Sequence, residues 1–410
     1  RRRNFSSTLL PNGAVLVAGG YGVSVVSVST AEIYNPSTGT FSSTGNLIGR
    51  RYDFSSTLLA DGRVLVSGGD DIVTISTAEL YNPVTGTFSS TGNLIGRRER
   101  HTTTLLPDGR ILVAGGIVVG SNSLSTAELY DPATGTFSST GNLIGLREDF
   151  TATLLGNGKV LVAGGYDGAY ISTAELYDPA TGTFASTGNL IGNRSQHTAA
   201  LLNNSHVLVV GGSSGGSLFT AEVYDPATGT FSSTGNLIGR RYDQTVALLP
   251  NGNILIAGGR VSVAASLSTA EVYSIDQMVN SGVDLADQES PDAVVSGSSI
   301  FFAWAGRGGG GSSSGVNVSR ANHGGGSWKI YGQRTNDPTS GGLTNQWPSG
   351  TTDRFTTTTG GMVTQRQRFS AVLLPNGKVL VAGGCTNFGC TTIASTAELY
   401  DPAASTFAST

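Results

Sequence analysis

Cysteine is nearly absent from this 410-residue chain, which holds only Cys385 and Cys390. Two cysteines cannot build a disulfide framework, and a zinc site would need two further ligands nearby. A local disulfide across one loop is the expected use, and it would place the chain in an oxidising compartment. Charge is sparse, at 13% of residues with a net of −4, so no global field draws the chain to nucleic acid. Lysine is rarer still, since 21 of the 24 basic residues are arginine. No apolar run of roughly 18 residues occurs, so no membrane span is expected. No sustained helical periodicity appears either, which excludes the coiled-coil and bundle classes. The chain opens at Arg1-Arg2-Arg3-Asn4-Phe5, without Met, with no signal peptide in view and inside a repeat. That opening is the one expected of a processed product or a fragment.

What the chain has is repetition. The stretch Ser125-Thr126-Ala127-Glu128-Leu129-Tyr130-Asp131-Pro132 recurs with its Thr-Ala-Glu core at Thr30, Thr77, Thr126, Thr173, Thr220, Thr269 and Thr396. Gly-Gly pairs begin at Gly19, Gly68, Gly115, Gly164, Gly211, Gly258 and Gly383, with successive gaps of 49, 47, 49, 47, 47 and 125. Within residues 50–96, four strands are predicted. Strand A covers Arg51 to Leu59, and Asp61-Gly62 is a hairpin turn. Strand B, Val64 to Ser67, is closed by Gly68-Gly69. Strand C runs from Thr77 to Tyr81, and Asn82-Pro83-Val84-Thr85-Gly86 is the next turn. Strand D covers Thr87 to Thr91. Four short antiparallel strands per period make a propeller blade, so the expected fold is an all-β, seven-bladed β-propeller of four-stranded antiparallel blades.

The Gly-Gly closing strand B, the tyrosine on strand C and the aromatic on strand D resemble the kelch repeat. The wording Leu-Leu-Pro-Asp-Gly-Arg-Ile-Leu-Val-Ala-Gly-Gly, ending at Gly116, is similar to the galactose-oxidase-like branch and to secreted bacterial kelch proteins. The resemblance covers roughly 1–274 and 353–410, and it implies strand A innermost. One departure stands out: such blades usually carry Trp on strand D, and here Phe41, Phe88, Phe137, Phe184, Phe231, Phe355 and Phe407 stand there. A second concerns closure. The chain starts at a strand A and ends at a strand D, so the ring is expected to close by packing between the first and last blades or through flanking sequence.

The long gap lies in the sixth repeat. Tyr34 to Phe41 is 7 residues, whereas Tyr273 to Phe355 is 82. The expected organisation is blades one to six over 1–274, an irregular β/loop insert over 275–352 in the C–D turn of blade six, and the remainder over 353–410. The insert holds all three tryptophans, Trp304, Trp328 and Trp347, and the linker-like stretch from Gly308 to Gly315. Around Asn322-His323-Gly324-Gly325-Gly326-Ser327-Trp328 it resembles a sialidase-type repeat, with His323 where that motif carries Asp. As a C–D elaboration it should project from the face opposite the D–A segments.

A residue present in every blade serves what every blade needs, which is scaffold. Glu32, Glu79, Glu128, Glu175, Glu222, Glu271 and Glu398 sit between apolar neighbours, where an unpaired carboxylate is costly. One arginine per blade opens strand A: Arg2, Arg51, Arg98, Arg147, Arg194, Arg241 and Arg366. Structural ion pairs between the two sets, within or between blades, are the expectation. Residues beside those arginines vary, and a ligand site is expected to break the symmetry. Arg50, Tyr52, Asp53, Arg97, Glu99, Arg100, Glu148, Asp149, Arg240, Tyr242, Asp243 and Arg368 are therefore the candidate binding rim, suited to polar or acidic groups. Apolar residues in the B–C loops of the same face, such as Ile72, Val73, Val119 and Phe388, extend it as a contact surface.

Catalysis finds little support. A copper radical centre of the galactose-oxidase kind needs two histidines, two tyrosines and a cysteine around one metal. His101 and His197 occupy the strand-A position where Phe5, Phe54, Phe150 and Phe369 stand in other blades, and both cysteines share one loop. No metal, no cofactor and no nucleophile elbow, phosphate loop or zinc-protease motif is expected. The leading reading is a non-enzymatic, extracellular or cell-surface binding or adhesion module with a protein or carbohydrate ligand. A self-associating subunit of a surface layer or filament is the alternative, and a glycan-active enzyme is a remote third. Asn4, Asn193, Asn203 and Asn317 stand in Asn-x-Ser contexts, so a glycoprotein is also expected.

Overall fold

The computed structural model describes residues 2–22, 26–262, 265–274, 292–296, 299–307, 314–324, 327–334, 354–386 and 392–410. It divides into two units, Arg1–Ser274 with Arg354–Thr410, and Ile275–Asp353.

The first unit is a seven-bladed β-propeller. Every blade is a four-stranded antiparallel sheet in the order A–B–C–D. Blade three shows the pattern, with A at Thr102–Leu105, B at Ile111–Ala114, C at Ala127–Asp131 and D at Thr136–Ser139. The turns follow from their residues. Gly109 takes φ 87°, and Leu106 N–H donates to Arg110 O at 2.8 Å. In the C–D turn Asp131 Oδ1 accepts from Ala133 N–H at 2.8 Å. The A strands of adjacent blades touch all the way round, including Ser6–Leu9 against Ser370–Leu373, so they form the inner wall and the ring is closed.

The core lies between blades. All four residues of strand B are buried, and their alternation points them at two different neighbours. Ile111 and Val113 cluster with Leu65 and Leu80 of blade two, while Leu112 and Ala114 cluster with Val160 and Val162 of blade four. Tyr130 is fully buried in the blade-two seam, and its hydroxyl pairs with Thr91 Oγ1 at 2.8 Å. On its own sheet Tyr130 stands opposite Phe137, with ring centroids 4.7 Å apart. The same tilted Tyr–Phe pair recurs in every blade, so phenylalanine does at strand D what a larger aromatic would do. Each pair contributes about 0.5–1.5 kcal/mol beyond area burial.

The ring closes by packing and hydrogen bonding between blades one and seven. Val15, Val17 and Tyr34 of blade one share a cluster with Leu374, Leu380, Ala382 and Ala397 of blade seven. Gly384 N–H donates to Arg2 O at 3.1 Å across the same seam. Blade six is completed from a distance: Ala270–Ser274 is its strand C and Arg354–Thr357 its strand D, with Tyr273 opposite Phe355.

Strand A differs from its predicted extent. In blade two it runs only over Ser55–Leu58, because Asp53 takes φ 51° and breaks the extended chain after Arg51-Tyr52. The second unit is more regular than expected. Asp292–Ser296, Ser299–Arg307, Ser314–Gly324 and Ser327–Arg334 form an antiparallel meander in sequence order. The two middle strands pair from Ser299↔Asn322 to Arg307↔Ser314. Within the sialidase-like stretch, His323 pairs with Trp328 and Gly324 with Ser327, as in a hairpin. Trp347 lies outside the described residues. Among the described residues, no helix is long and apolar enough to cross a membrane.

Candidate functional site

The residues repeated in every blade form a clamp. In blade three Arg98 Nη1 donates to Gly115 O at 2.8 Å and Thr126 O at 2.9 Å, and Nη2 donates to Glu128 Oε1 at 2.6 Å. Glu128 also accepts from the backbone N–H of Ile95 at 2.7 Å and of Gly96 at 3.0 Å, on the segment arriving from blade two. One carboxylate thus ties strand C to the arginine of its own blade and to the D–A segment. Equivalent pairs are Arg2–Glu32, Arg51–Glu79, Arg147–Glu175, Arg194–Glu222, Arg241–Glu271 and Arg366–Glu398, all within blades. The six from blade two onward are buried on both sides. Buried charges of this kind persist only when every partner is present.

Two residues after each clamp arginine the backbone turns left-handed. Asn4, Asp53, Arg100, Asp149, Gln196, Asp243 and Arg368 all have φ between 50° and 54°. Asparagine and aspartate tolerate this region, whereas Arg100, Gln196 and Arg368 pay for it, roughly 1 kcal/mol each. Five backbone hydrogen bonds link these residues from blade to blade. Asp53 N–H donates to Asn4 O at 3.2 Å, Arg100 N–H to Asp53 O at 3.0 Å, Gln196 N–H to Asp149 O at 2.9 Å, Asp243 N–H to Gln196 O at 3.2 Å, and Asn4 N–H to Arg368 O at 3.4 Å. They encircle the mouth of the propeller with side chains that vary from blade to blade among Asn, Asp, Arg and Gln.

Two ion networks occupy this mouth. Arg100 lies 3.2 Å from Glu148, 3.5 Å from Asp53 and 3.8 Å from Glu99. Asp243 lies 2.7 Å from Arg260 and 3.7 Å from Arg368, and the Arg260 guanidinium covers the Tyr242 ring at 4.4 Å. Burial pushes the Asp149 carboxyl up to about 7, with Arg100 opposing and Asp243, Glu148 and Asp53 adding to the rise. Burial likewise pushes Glu99 up to about 7 against the pull of Arg100. Both carboxyls therefore favour a folded state that holds their protons. Their stabilisation is complete below the ordinary carboxylate range near pH 4 and is lost as pH rises through about 7. Above that pH the mouth becomes more negative. Burial also raises the Tyr52 hydroxyl, with Asp70 beside it adding to the effect.

A scan of family models decides the family. The model described as the kelch motif matches residues 2–47, 100–143, 150–190 and 194–237, which are blades one, three, four and five. The chain is a kelch-repeat β-propeller. The solved structure of YjhT is similar to it, with a TM-score of 0.55 over 67% of this chain and 95% of that chain, at 14% identity. A likeness at that identity speaks for the fold alone. No curated protein matches the chain.

The kelch scaffold sorts the predicted rim into three sets. Asp53, Arg100, Asp149, Asp243 and Arg368 stand in the mouth ring, and Tyr52, Glu99, Glu148 and Tyr242 lie just behind it. The latter pair by β-bridges with the first B–C loop residues, Tyr52 with Asp70, Glu99 with Ile117, Glu148 with Tyr166 and Tyr242 with Arg260, so the D–A segments and B–C loops share one face. Arg50, Arg97 and Arg240 are not in the ring; they are exposed, Arg50 3.9 Å from Asp71 and Arg240 over the Phe219 ring at 4.8 Å. Between blades one and three a pocket of about 210 Å³ is lined by Tyr21, Arg50, Tyr52, Asp70, Ile72 and Val119 among others. A larger pocket of about 550 Å³ lies among the A–B and C–D turns, at Pro11, Asp61, Arg63, Pro83 and Val84. Its lining recurs with small changes in other blades, so the smaller pocket has the features of an individual site.

Sequence reasoning missed one exposed ring. Ile48, Ile95, Ile144, Ile191, Ile238 and Val363 are 62–69% exposed on the D–A segments. Their backbone N–H groups are held by the clamp glutamates, and the signal available was an aliphatic repeated directly after a buried Leu or Met. Cys385 is fully buried and disulfide-bonded. Cys390, the other cysteine of the predicted pair, and Phe388 lie outside the described residues.

His101 and His197 are scaffold. Both are buried, in different blades, with Nε2 3.4 Å from Ser67 Oγ and 3.0 Å from Thr151 Oγ1 respectively. Burial, then the nearby clamp arginines, lowers each to about 3. An unfolded chain takes up these protons first, so the stability present above about pH 6.5 is lost as pH falls toward 3. The double variant His101→Phe/His197→Phe, which copies the other blades, should melt higher than the parent near pH 4.5 and about equally near pH 7.5. Circular-dichroism melts at the two pH values check this.

Proposed function

We propose that this kelch propeller is a non-enzymatic, extracellular binding module whose ligand, a protein in the leading reading, docks on the face built by the D–A segments and B–C loops. The observation that carries the proposal is the contrast between the clamp and the mouth. Six clamps repeat the same buried Arg–Glu pair, whereas the ring two residues further on varies among Asn, Asp, Arg and Gln and holds half-exposed Arg100 and Arg368 among carboxylates. Three non-Asx residues held left-handed at the ring are a local cost that the scaffold does not need. Around the mouth, exposed Ile and Val side chains supply apolar contact area, and the guanidinium groups and carboxylates supply orientation. Disulfide-bonded Cys385 supports an oxidising compartment, and with it the extracellular placement.

The test is binding to peptide and glycan arrays by the parent and two variants. Arg100→Ala/Arg368→Ala should lose roughly tenfold or more of the signal on the parent's hits, as expected for charge-assisted contacts. Val84→Asp, on the turn face, should keep the signal. Loss in the second and retention in the first would move the site to the other face.

A further inference from the structure

Blades two and six bring the same dipeptide to the mouth, Tyr52-Asp53 and Tyr242-Asp243. In each, the tyrosine bridges the first residue of the B–C loop, and there the two blades part. Blade six has Arg260, whose guanidinium lies over the Tyr242 ring at 4.4 Å and 2.7 Å from Asp243. Blade two has Asp70 in that place, so a carboxylate stands where its counterpart carries a cation. Asp70 is 2% exposed, and its Oδ2 has no hydrogen-bond partner among the described residues. A buried carboxylate oxygen left in this way is costly to the scaffold.

Asp70 lines the pocket of about 210 Å³, together with Tyr21, Tyr52 and Asp71. The Tyr21 and Tyr52 rings meet edge to face with centroids 4.9 Å apart. Asp71 accepts a hydrogen bond from Ser27 Oγ, and its nearest cation is Arg50, a loose pair at 3.9 Å on a half-exposed side chain. Ile72 and Val119 are exposed on the rim. Ile72 sits at the tip of the hairpin that pairs Asp70 with Thr74 and Asp71 with Val73, and it holds φ 73°. It is the only β-branched residue with positive φ among the described residues, a backbone cost borne at the edge of this pocket. The volume is below the roughly 300 Å³ at which sites for whole small molecules begin, so the pocket suits one side chain.

We infer that this pocket seats the guanidinium group of an arginine presented by the docking partner, against the Tyr52 ring and the Asp70 and Asp71 carboxylates. Asp71, a quarter exposed, takes the N–H donors, and Asp70, buried in the lining, adds the negative charge that nothing in blade two offsets as Arg260 offsets Asp243 in blade six. A planar guanidinium both stacks on a tyrosine and forks onto a carboxylate, which a compact ammonium does not. The methylene stem runs along Ile72 and Val119. The inference rests on the docking face proposed above and names the residue that face receives.

The probe is Nα-acetyl-L-arginine methylamide, titrated against the whole chain by saturation-transfer NMR, which reads the pocket without any partner. The expected result is saturable binding with a Kd on the order of 1 mM. The citrulline analogue, alike in shape but neutral, should bind roughly tenfold or more weakly, and the lysine analogue should fall between. Asp71→Asn keeps an acceptor for Ser27 and should weaken the arginine probe by about tenfold. Arg50→Ala removes a competing cation and should tighten it by about twofold or more. Melting curves confirm that both variants are folded before titration. No saturation up to about 20 mM, equal binding of the citrulline analogue, or an unchanged affinity in Asp71→Asn overturns the inference. An array without hits on this face counts against the docking partner, and the probe result still decides the pocket.

Discussion

Replacing Glu128 with alanine should cost about 3–5 kcal/mol and lower the melting midpoint by roughly 5–10 °C. The substitution strands the Arg98 guanidinium, which is fully buried, and removes the acceptor for two backbone N–H groups of the incoming segment. Glu128→Gln should fall between, because a carboxamide keeps one acceptor oxygen. Blade one supplies the internal control. Glu32 is 43% exposed and lacks those two backbone donors, so Glu32→Ala should cost under about 1 kcal/mol. Urea melts of the three variants check the ordering. Equal costs for Glu32 and Glu128 would mean that the clamp contributes nothing beyond an ordinary surface pair.

Gly69→Ala should be the other large loss, about 3 kcal/mol. Gly69 holds φ 97°, and an added Cβ would stand 2.7 Å from Tyr52 O and 2.8 Å from Phe54 Cβ. The left-handed backbone costs alanine roughly 1–2 kcal/mol, and the overlap with a backbone carbonyl adds about as much. The carbonyl cannot retreat easily, because Tyr52 O also accepts from Asp70 N–H at 2.9 Å in the bridge that joins the D–A segment to the B–C loop. The effect should therefore reach the mouth. Hydrogen exchange of the Tyr52 and Asp70 amides should speed up along with the drop in midpoint, whereas Gly39→Ala, with open space around its Cβ, should leave both amides unchanged.

The blades were legible because the chain repeats itself. The Gly-Gly spacing, the Asp-Gly turns and the Tyr and Phe positions place every strand to within a few residues, and Phe355 marked the return of strand D across the insert. Strand A was overextended at its start because Arg51-Tyr52-Asp53 alternates like a strand, and nothing in those letters says that Asp53 is left-handed. The seven Arg and seven Glu announced a pairing by number alone. The other half of the clamp was invisible, since the donors on Glu128 are backbone N–H groups of Ile95 and Gly96 and leave no mark in side-chain identity. For the same reason the rim residues could be named but not sorted. Glu99 and Arg97 look equally charged in sequence, yet one is 3% exposed behind the mouth and the other is exposed.

The separation of scaffold from binding face is tested most directly by hydrogen–deuterium exchange of the whole chain with and without an array hit. Protection confined to the segments around 50–53, 97–100, 147–149, 240–243 and 366–368, and to the B–C loops at 70–73 and 117–119, is the predicted result. Protection concentrated at the A–B and C–D turns, around 11–13, 61–63 and 82–86, would contradict it.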